Sequence, residues 1–374
     1  MKVLHICESV TGGIATYLNE LLPYQIELYG IDNVQVVIPR SQRNQIQLPP
    51  QVIRFFDEVN RKSLRSQVKM ASTYLKCVKD FSPSAVHLHS TYAGFWFRLP
   101  LFFVPNRKYK LFYCSHGWAF DMDKSLYAKS AFALVERFLS AVTDKIICIS
   151  DHDLNSAVRR GVKSEKLIVV KNTINQIVDD IEPAHVDPSV KNFLFVGRFD
   201  KQKGFDQLLE AIQSSSNQDF KVYCIGQPVV EGDHTLNRIL AENDKIVHLG
   251  WKTKSEVLQY MKSCDALIMP SRWEGFGLVA LESLCCGCPV YHSGAGGLAE
   301  LYPDSNYSVT LDTPIVDSIT DLIDNTTKAS IQAVKNSLLT DFKLTYTTKD
   351  LSMEIHKLYE ALDNIGRDRS DYTR

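Results

Sequence analysis

Short apolar runs alternate with longer stretches in which apolar residues return every three or four positions, and the alternation repeats through the first half of the chain. "KVLHIC" (2–7) leads to the helix-periodic "IATYLNELLPYQIELYG" (14–30). "NVQVVIP" (33–39) leads to "SLRSQVKMASTYLKCVKDF" (63–81), and "AVHLHS", "KLFYCSHG", "KIICIS" and "LIVVKN" continue the series to residue 172. Such runs, spaced by helix-length segments, predict a parallel sheet with crossover helices. The pattern breaks at "IVDDIEPAHVDPSVKN" (177–192), where Pro183, Pro188 and acidic residues predict a linker. It then restarts. "FLFVG", "KVYCIG", "KIVHLG", "ALIMP" and "PVYHS" alternate with "FDQLLEAIQ", "HTLNRILAEN", "SEVLQYMKS" and "GLVALESLCC", predicting a second parallel sheet. Helices are predicted near "IVDSITDLIDN" and "TTKDLSMEIHKLYEALDN", and "RDRSDYTR" after Gly366 is expected to fray.

A length of 374 residues exceeds most single cores and agrees with two domains. The boundaries that follow are 1–180, 190–345 and a closing segment 346–374. With 45% hydrophobic and 23% charged residues, the chain is neither disordered nor basic enough overall to suggest a nucleic-acid partner. Nine cysteines, mostly scattered, and a start that reads directly as a strand lead us to expect a reducing, cytoplasmic compartment. No apolar run reaches the roughly 18 residues of a membrane span. "FWFRLPLFFV" (95–104) is broken by Arg98 and Pro100. Charge divides unevenly: residues 1–171 hold 23 Lys and Arg against 14 Asp and Glu, and the remainder 19 against 29. The front half therefore either meets an anionic surface or attracts the back half.

In open parallel sheets, ligands bind beyond the carboxyl ends of the strands, so a site is expected where two sets of strand ends face across a cleft. Gly12 and Gly13 follow the first strand; they either admit an anion to a helix start or make a plain tight turn. Arg198 and Lys203 flank a strand-to-helix crossing in "GRFDKQKG". They suit a diphosphate between them, or they are two solvated cations. "SRWEGFGLVALESLCCGCPVY" (271–291) places Glu274 in a loop, Glu282 one turn into a helix, and Gly275 and Gly277 where backbone N–H groups stay open. Such carboxylates suit sugar hydroxyls. Cys285, Cys286 and Cys288 with His292 invite a zinc reading, but the spacing lacks a second ligand pair and packing explains it better. His116 ends a strand as a functional or a core residue. For Asp121 and Asp123, helix N-capping is preferred to metal binding.

Together these motifs resemble glycosyltransferase family 4, retaining nucleotide-sugar transferases of the GT-B fold, along nearly the whole chain. The likeness rests on the Gly12–Gly13 loop, "SHGWAF", "KNTIN", "GRFDKQKG" and "EGFGLVALE", whose two glutamates are separated by seven residues. It implies an α/β GT-B architecture with an N-terminal acceptor domain, a C-terminal donor domain and a last helix that returns to the first. Arg198 and Lys203 would neutralise the donor diphosphate, which stabilises the leaving group as its charge develops. Glu274, with the amides of Phe276, Gly277 and neighbouring Leu278, would grip the donor sugar, Glu282 the ribose, and His116 the sugar near its reacting carbon. The nucleotide base, most simply uracil, would lie near Gly226 and Trp251. The leaving phosphate would help take the acceptor proton, so no general base is assigned, and no obligatory metal or other cofactor is expected. "KNTIN" departs from the family's Asn-Gly-Ile-Asp-like turn, so no role is carried onto Asn172 or Asn175.

The resemblance further implies a glycan acceptor in bacterial capsule, O-antigen or exopolysaccharide synthesis, with a polyprenyl-diphosphate-linked glycan as one candidate. The basic stretch 61–80 and the aromatic-basic run 95–110 suit an anionic membrane surface, or form a solvated face over a core helix. The expected location is then the inner face of the cell membrane, held peripherally. A sugar-nucleotide epimerase, a phosphorylase and a non-catalytic sugar-nucleotide-binding subunit are the alternatives.

Overall fold

A computed structural model describes residues 1–57, 63–104, 106–175, 181–228 and 234–371, the side chains of 234–237 and 363–371 excepted. The chain divides into two compact units, Met1–Asn175 with Tyr346–Arg374, and Gln176–Thr345.

The first unit is built on β1 (Val3–Cys7), β2 (Val34–Pro39), β3 (Ile53–Phe56), β4 (Ala85–His89), β5 (Lys110–Cys114), β6 (Lys145–Cys148) and β7 (Leu167–Val169). All pairings are parallel, in the order β3-β2-β1-β4-β5-β6-β7. β1 and β4 are buried along their whole length, including His5, His87 and His89, as strands covered on both faces are. Helices α1 (Gly13–Tyr29), α2 (Leu64–Phe81), α3 (Thr91–Arg98), α4 (Leu126–Leu139) and α5 (Asp151–Arg159) connect them. Strand order reverses between β1 and β4, the position where such sheets take ligands.

The second unit repeats the plan with β8 (Lys191–Val196), β9 (Phe220–Ile225), β10 (Ile246–Gly250), β11 (Ala266–Met269), β12 (Val290–His292) and β13 (Ser308–Thr310), in the parallel order β10-β9-β8-β11-β12-β13. Its helices are α6 (Phe205–Ser214), α7 (His234–Glu242), α8 (Lys254–Ser263), α9 (Leu278–Cys285), α10 (Ile315–Asn325) and α11 (Lys328–Asp341). Here the order reverses between β8 and β11.

From Tyr346 the chain rejoins the first unit as α12 (Thr348–Asp371), which packs on α1 and buries Leu351, Ile355 and Tyr359. The "KNTIN" turn closes this unit: the Asn175 amide donates to Glu20 at 2.9 Å, and the Thr173 hydroxyl donates to the Tyr346 carbonyl.

Several expectations change. The linker gives up its last two residues, because Lys191 and Asn192 already belong to β8; its residues 177–180 lie outside those described. Helix α12 is described through Gly366 to Asp371, and residues 372–374 of the charged tail lie outside those described. Arg98 does more than interrupt an apolar run. It is fully buried, 2.8 Å from Glu136 and 3.7 Å over the Tyr113 ring, and so turns a charge into a core contact. α4 is capped by Ser125, not by Asp121 or Asp123; Asp121 instead accepts from Ser156 at 2.6 Å and faces His152.

Candidate functional site

In the second unit the loops after β8 and β11 meet. Gly204, in a left-handed conformation at the start of α6, sits so close to β11's exit that a Cβ there would lie 1.9 Å from the Pro270 carbonyl oxygen. That approach carries Lys203 onto Glu274, Nζ to Oε2 at 2.6 Å, with both side chains largely shielded from solvent. From the other side Gly296 presses on the same loop, where a Cβ would meet the Glu274 carbonyl oxygen at 1.8 Å. Ser271 adds a longer contact to the Glu274 carboxylate, 3.4 Å. Glu274 is thus held between two backbone approaches and a buried cation.

Arg198 lies on the same crossing but is turned outward, half exposed, 3.1 Å from Asp200 and donating to Gln202 at 2.6 Å. The two cations therefore do not face each other bare, as spacing alone suggested. Each already has a counter-charge, and an incoming anion must compete with Asp200 and Glu274 for them. Glu282 is buried in α9 with Lys254 at 3.6 Å. The helical ladder of α9 begins with Ala280 donating to Gly277, so the amides of Phe276, Gly277 and Leu278 belong to the open start of the helix.

Gly226 has a backbone reason to be glycine, since a Cβ there would strike the Gly197 carbonyl at 1.9 Å; its amide donates to Gly250. Trp251, just beyond, stands 56% exposed. The cysteine cluster is a packing feature. Cys286 and Cys288 are buried, burial pushes the Cys285 and Cys286 thiols up to about 12, and His292 is engaged by Ser308 and the Gly294 amide. Among the described residues these side chains do not bring three ligating atoms together.

In the first unit, Gly12 caps α1 at φ 58° with open space where its Cβ would be, and Gly13 begins the helix. His116 follows β5 in a left-handed conformation, φ 55°.

A profile described as "Glycosyl transferases group 1" matches residues 176–336, and one described as "Glycosyltransferase Family 4" matches residues 11–176. A Klebsiella pneumoniae protein, the "Uncharacterized 41.2 kDa protein in cps region", is 32% identical over 87% of this chain and 90% of its own length. The chain belongs to glycosyltransferase family 4. An Escherichia coli relative named as UDP-Gal:alpha-D-GlcNAc-diphosphoundecaprenol alpha-1,3-galactosyltransferase is 26% identical over 63% of this chain and 64% of its own length. The crystal structure of Anabaena HepE in complex with UDP matches with a TM-score of 0.70 at 16% identity, over 96% of this chain and all of that one. The fold is GT-B, two Rossmann-like parallel-sheet domains.

Behind His116 this glycosyltransferase holds a group that sequence reading missed. His5 on β1 and His87 on β4 are paired in register, and His89 points to the same face two residues on. All three are fully buried, and burial holds His5 down to about 4, His116 down to about 3, and His87 and His89 well below the usual histidine value. These rings are neutral at any physiological pH. The "HLH" alternation was a visible signal for one face of β4, but only the strand order places His5 beside it. Asp200, Gln202 and Lys254, which partner the expected site residues, carried no signal in the sequence.

Proposed function

We propose that this glycosyltransferase moves a sugar from a UDP-sugar, with retention at the anomeric carbon, to a hydroxyl of a polyprenyl-diphosphate-linked glycan during capsule-type polysaccharide synthesis. The observation that carries the reading is the Lys203–Glu274 pair at the point where the second sheet reverses its strand order. A diphosphate arriving there takes Lys203 as its counter-charge and releases Glu274 to accept hydrogen bonds from sugar hydroxyls. One contact thus links the charge of the leaving group to the grip on the sugar. Arg198, already half exposed, swings from Asp200 to the same phosphates. Glu282 holds the ribose, the amides of Phe276, Gly277 and Leu278 hold donor oxygens, and Gly226 and Trp251 border the base; in the first unit, Gly12 and Gly13 leave the start of α1 open to an anion.

As the bond from the anomeric carbon to the diphosphate oxygen breaks, negative charge grows on the nucleotide, and fixed cations stabilise that state more than the bound donor. The acceptor oxygen bonds to the same face of the carbon, and its proton passes to the departing phosphate. No protein nucleophile, metal ion or other cofactor enters this scheme. The lipid-linked acceptor is supported by the diphosphoundecaprenol acceptor for which the Escherichia coli relative is named, and the donor base by the UDP in HepE.

Membrane contact is supported by an exposed apolar stripe. Tyr127, Leu134 and Phe138 on α4 are 90%, 64% and 56% exposed, and Phe103, 86% exposed, adjoins Phe102, which stacks on Phe138. Lys124 and Arg137 are exposed on or just before the same helix. On α2, Leu64, Val68 and Leu75 lie exposed among Arg65, Lys69, Lys76 and Lys79; Arg61 and Lys62 fall outside the described residues. Arg107, expected as a free cation, is instead bound to Asp144 and the Val142 carbonyl. No described helix is long and apolar enough to cross a membrane.

The test is turnover of Lys203→Ala and Glu274→Ala with a UDP-sugar chosen by thermal stabilisation against a nucleotide-sugar panel, with and without EDTA. Each variant should lose on the order of 100-fold in turnover while melting as a folded protein. Normal kinetics in both variants would sink the assignment.

A further inference from the structure

The buried histidines form a single hydrogen-bonded file that ends at His116. The Gln25 carbonyl oxygen lies 2.7 Å from His5 Nε2, His5 Nδ1 lies 2.9 Å from His89 Nε2, and His89 Nδ1 lies 2.9 Å from His116 Nε2. A carbonyl oxygen only accepts, so His5 carries its proton on Nε2 and offers Nδ1 as a lone pair. His89 must then donate from Nε2 and accept at Nδ1. His116 must in turn donate from Nε2, which leaves its Nδ1 as a lone pair. Every ring in the file is neutral, so one oxygen on α1 sets the proton positions of three imidazoles. His87 stacks on His89 at 4.2 Å and is itself tied to the Tyr359 hydroxyl at 2.7 Å, while Tyr17 meets His116 edge-on at 4.9 Å. These contacts hold the planes of the rings that transmit the order.

We propose that His89, backed by His5 and Gln25, is a positioning residue that fixes His116 as the Nε2–H tautomer, so that His116 Nδ1 accepts a hydrogen bond from a hydroxyl of the transferred sugar. The proposal rests on the reading of His116 as a sugar contact. The opposite proton order would make His116 a donor from Nδ1, which an ether, carbonyl or hydroxyl oxygen alike could accept, whereas a bare Nδ1 admits only a group that carries a hydrogen. The file is therefore a specificity device: it selects a hydroxyl hydrogen at that point of the sugar.

A metal is the competing use of this group, because one nitrogen each from His5, His87 and His89 lies within 4.8 Å of the others. Among the described residues no carboxylate or thiolate joins them to offset a buried dication, and His5 and His89 already share a 2.9 Å hydrogen bond with each other.

The experiment is nitrogen-15 NMR of the full-length protein labelled at histidine, with metal content measured on the same sample, followed by kinetics of Gln25→Leu and His89→Phe. The wild type should show a protonated, pyrrole-type Nε2 and a bare, pyridine-type Nδ1 at His116. Gln25→Leu removes the oxygen that sets the order and lies three residues back in the file, so it should give His116 a mixture of tautomers. In both variants kcat/KM for the UDP-sugar should fall, by at most about tenfold, the worth of one neutral hydrogen bond, and in Gln25→Leu in proportion to the share of the wrong tautomer, while calorimetric affinity for UDP alone stays unchanged. If His89→Phe fails to fold, Gln25→Leu alone decides. An Nδ1–H tautomer in the wild type, unchanged His116 signals in Gln25→Leu, or one equivalent of bound zinc would overturn the proposal. Because the NMR needs no substrate, it separates failure of the file from failure of the transferase reading.

Discussion

Lowering the pH from 7.5 to 5.5 should weaken the first unit far more than the second. Burial holds His5 at about 4 and His116 at about 3, with His87 and His89 also far below the roughly 6.5 of an unfolded histidine. Below that unfolded value the opened chain binds protons that the folded chain refuses, so stability is complete above it and falls as the pH drops toward the folded values. For one group moved from about 6.5 to about 4, the loss between pH 7.5 and 5.5 is about 1.3 kcal/mol. His87, His89 and His116 shift in the same direction, so the first unit loses more stability than a unit with a single such ring. His152 opposes this weakly, because Asp121 raises its pKa and its proton stabilises the folded form. The second unit has one comparable ring, His292, held at about 4, and should lose about 1.3 kcal/mol. Hydrogen exchange read by mass spectrometry at the two pH values, corrected for intrinsic rates, reports each unit separately. Equal losses in both units, or a first unit unchanged at pH 5.5, would refute the neutral-histidine core.

Cys286→Ala should leave turnover within about twofold and lower stability by about 1 kcal/mol in urea unfolding, because the thiol is neutral packing. Loss of bound zinc together with activity would restore the metal reading of that cluster. The protein should float with vesicles containing anionic lipid, and Leu134→Glu with Phe138→Glu should reduce its recovery by tenfold or more, given roughly 1.5–3 kcal/mol for each apolar side chain withdrawn from lipid. No recovery of the wild type would remove the membrane reading.

The parallel sheets were legible because strands buried on both faces carry short apolar cores, as in the Phe193–Val196 end of β8 and the whole of β11. The edge strands β3 and β13, four and three residues long, left too little pattern to find. Glu274 and Glu282 were legible because a loop-to-helix junction fixes their spacing locally. Their partners were not, since Lys203 reaches Glu274 and Lys254 reaches Glu282 only through the close packing of neighbouring crossovers, at Gly204 in the first case. Asp200, the partner of Arg198, lay two residues from it in the sequence, but nothing there gave its direction. The histidine file spans α1, β1, β4 and the loop after β5, and no local window contains it. Nor did the pattern of α12 disclose that its Tyr359 hydroxyl would meet His87.

The return of α12 has a consequence for how the chain is made. The first unit is interrupted by about 170 residues between Asn175 and Tyr346, so its α1 face stays uncovered, and His87 lacks its tyrosine, until the whole second unit has left the ribosome. At 5–20 residues per second that wait is on the order of ten to thirty seconds. The nascent first unit is then an incomplete fold with an open apolar flank, and the interval makes it a natural client for chaperones.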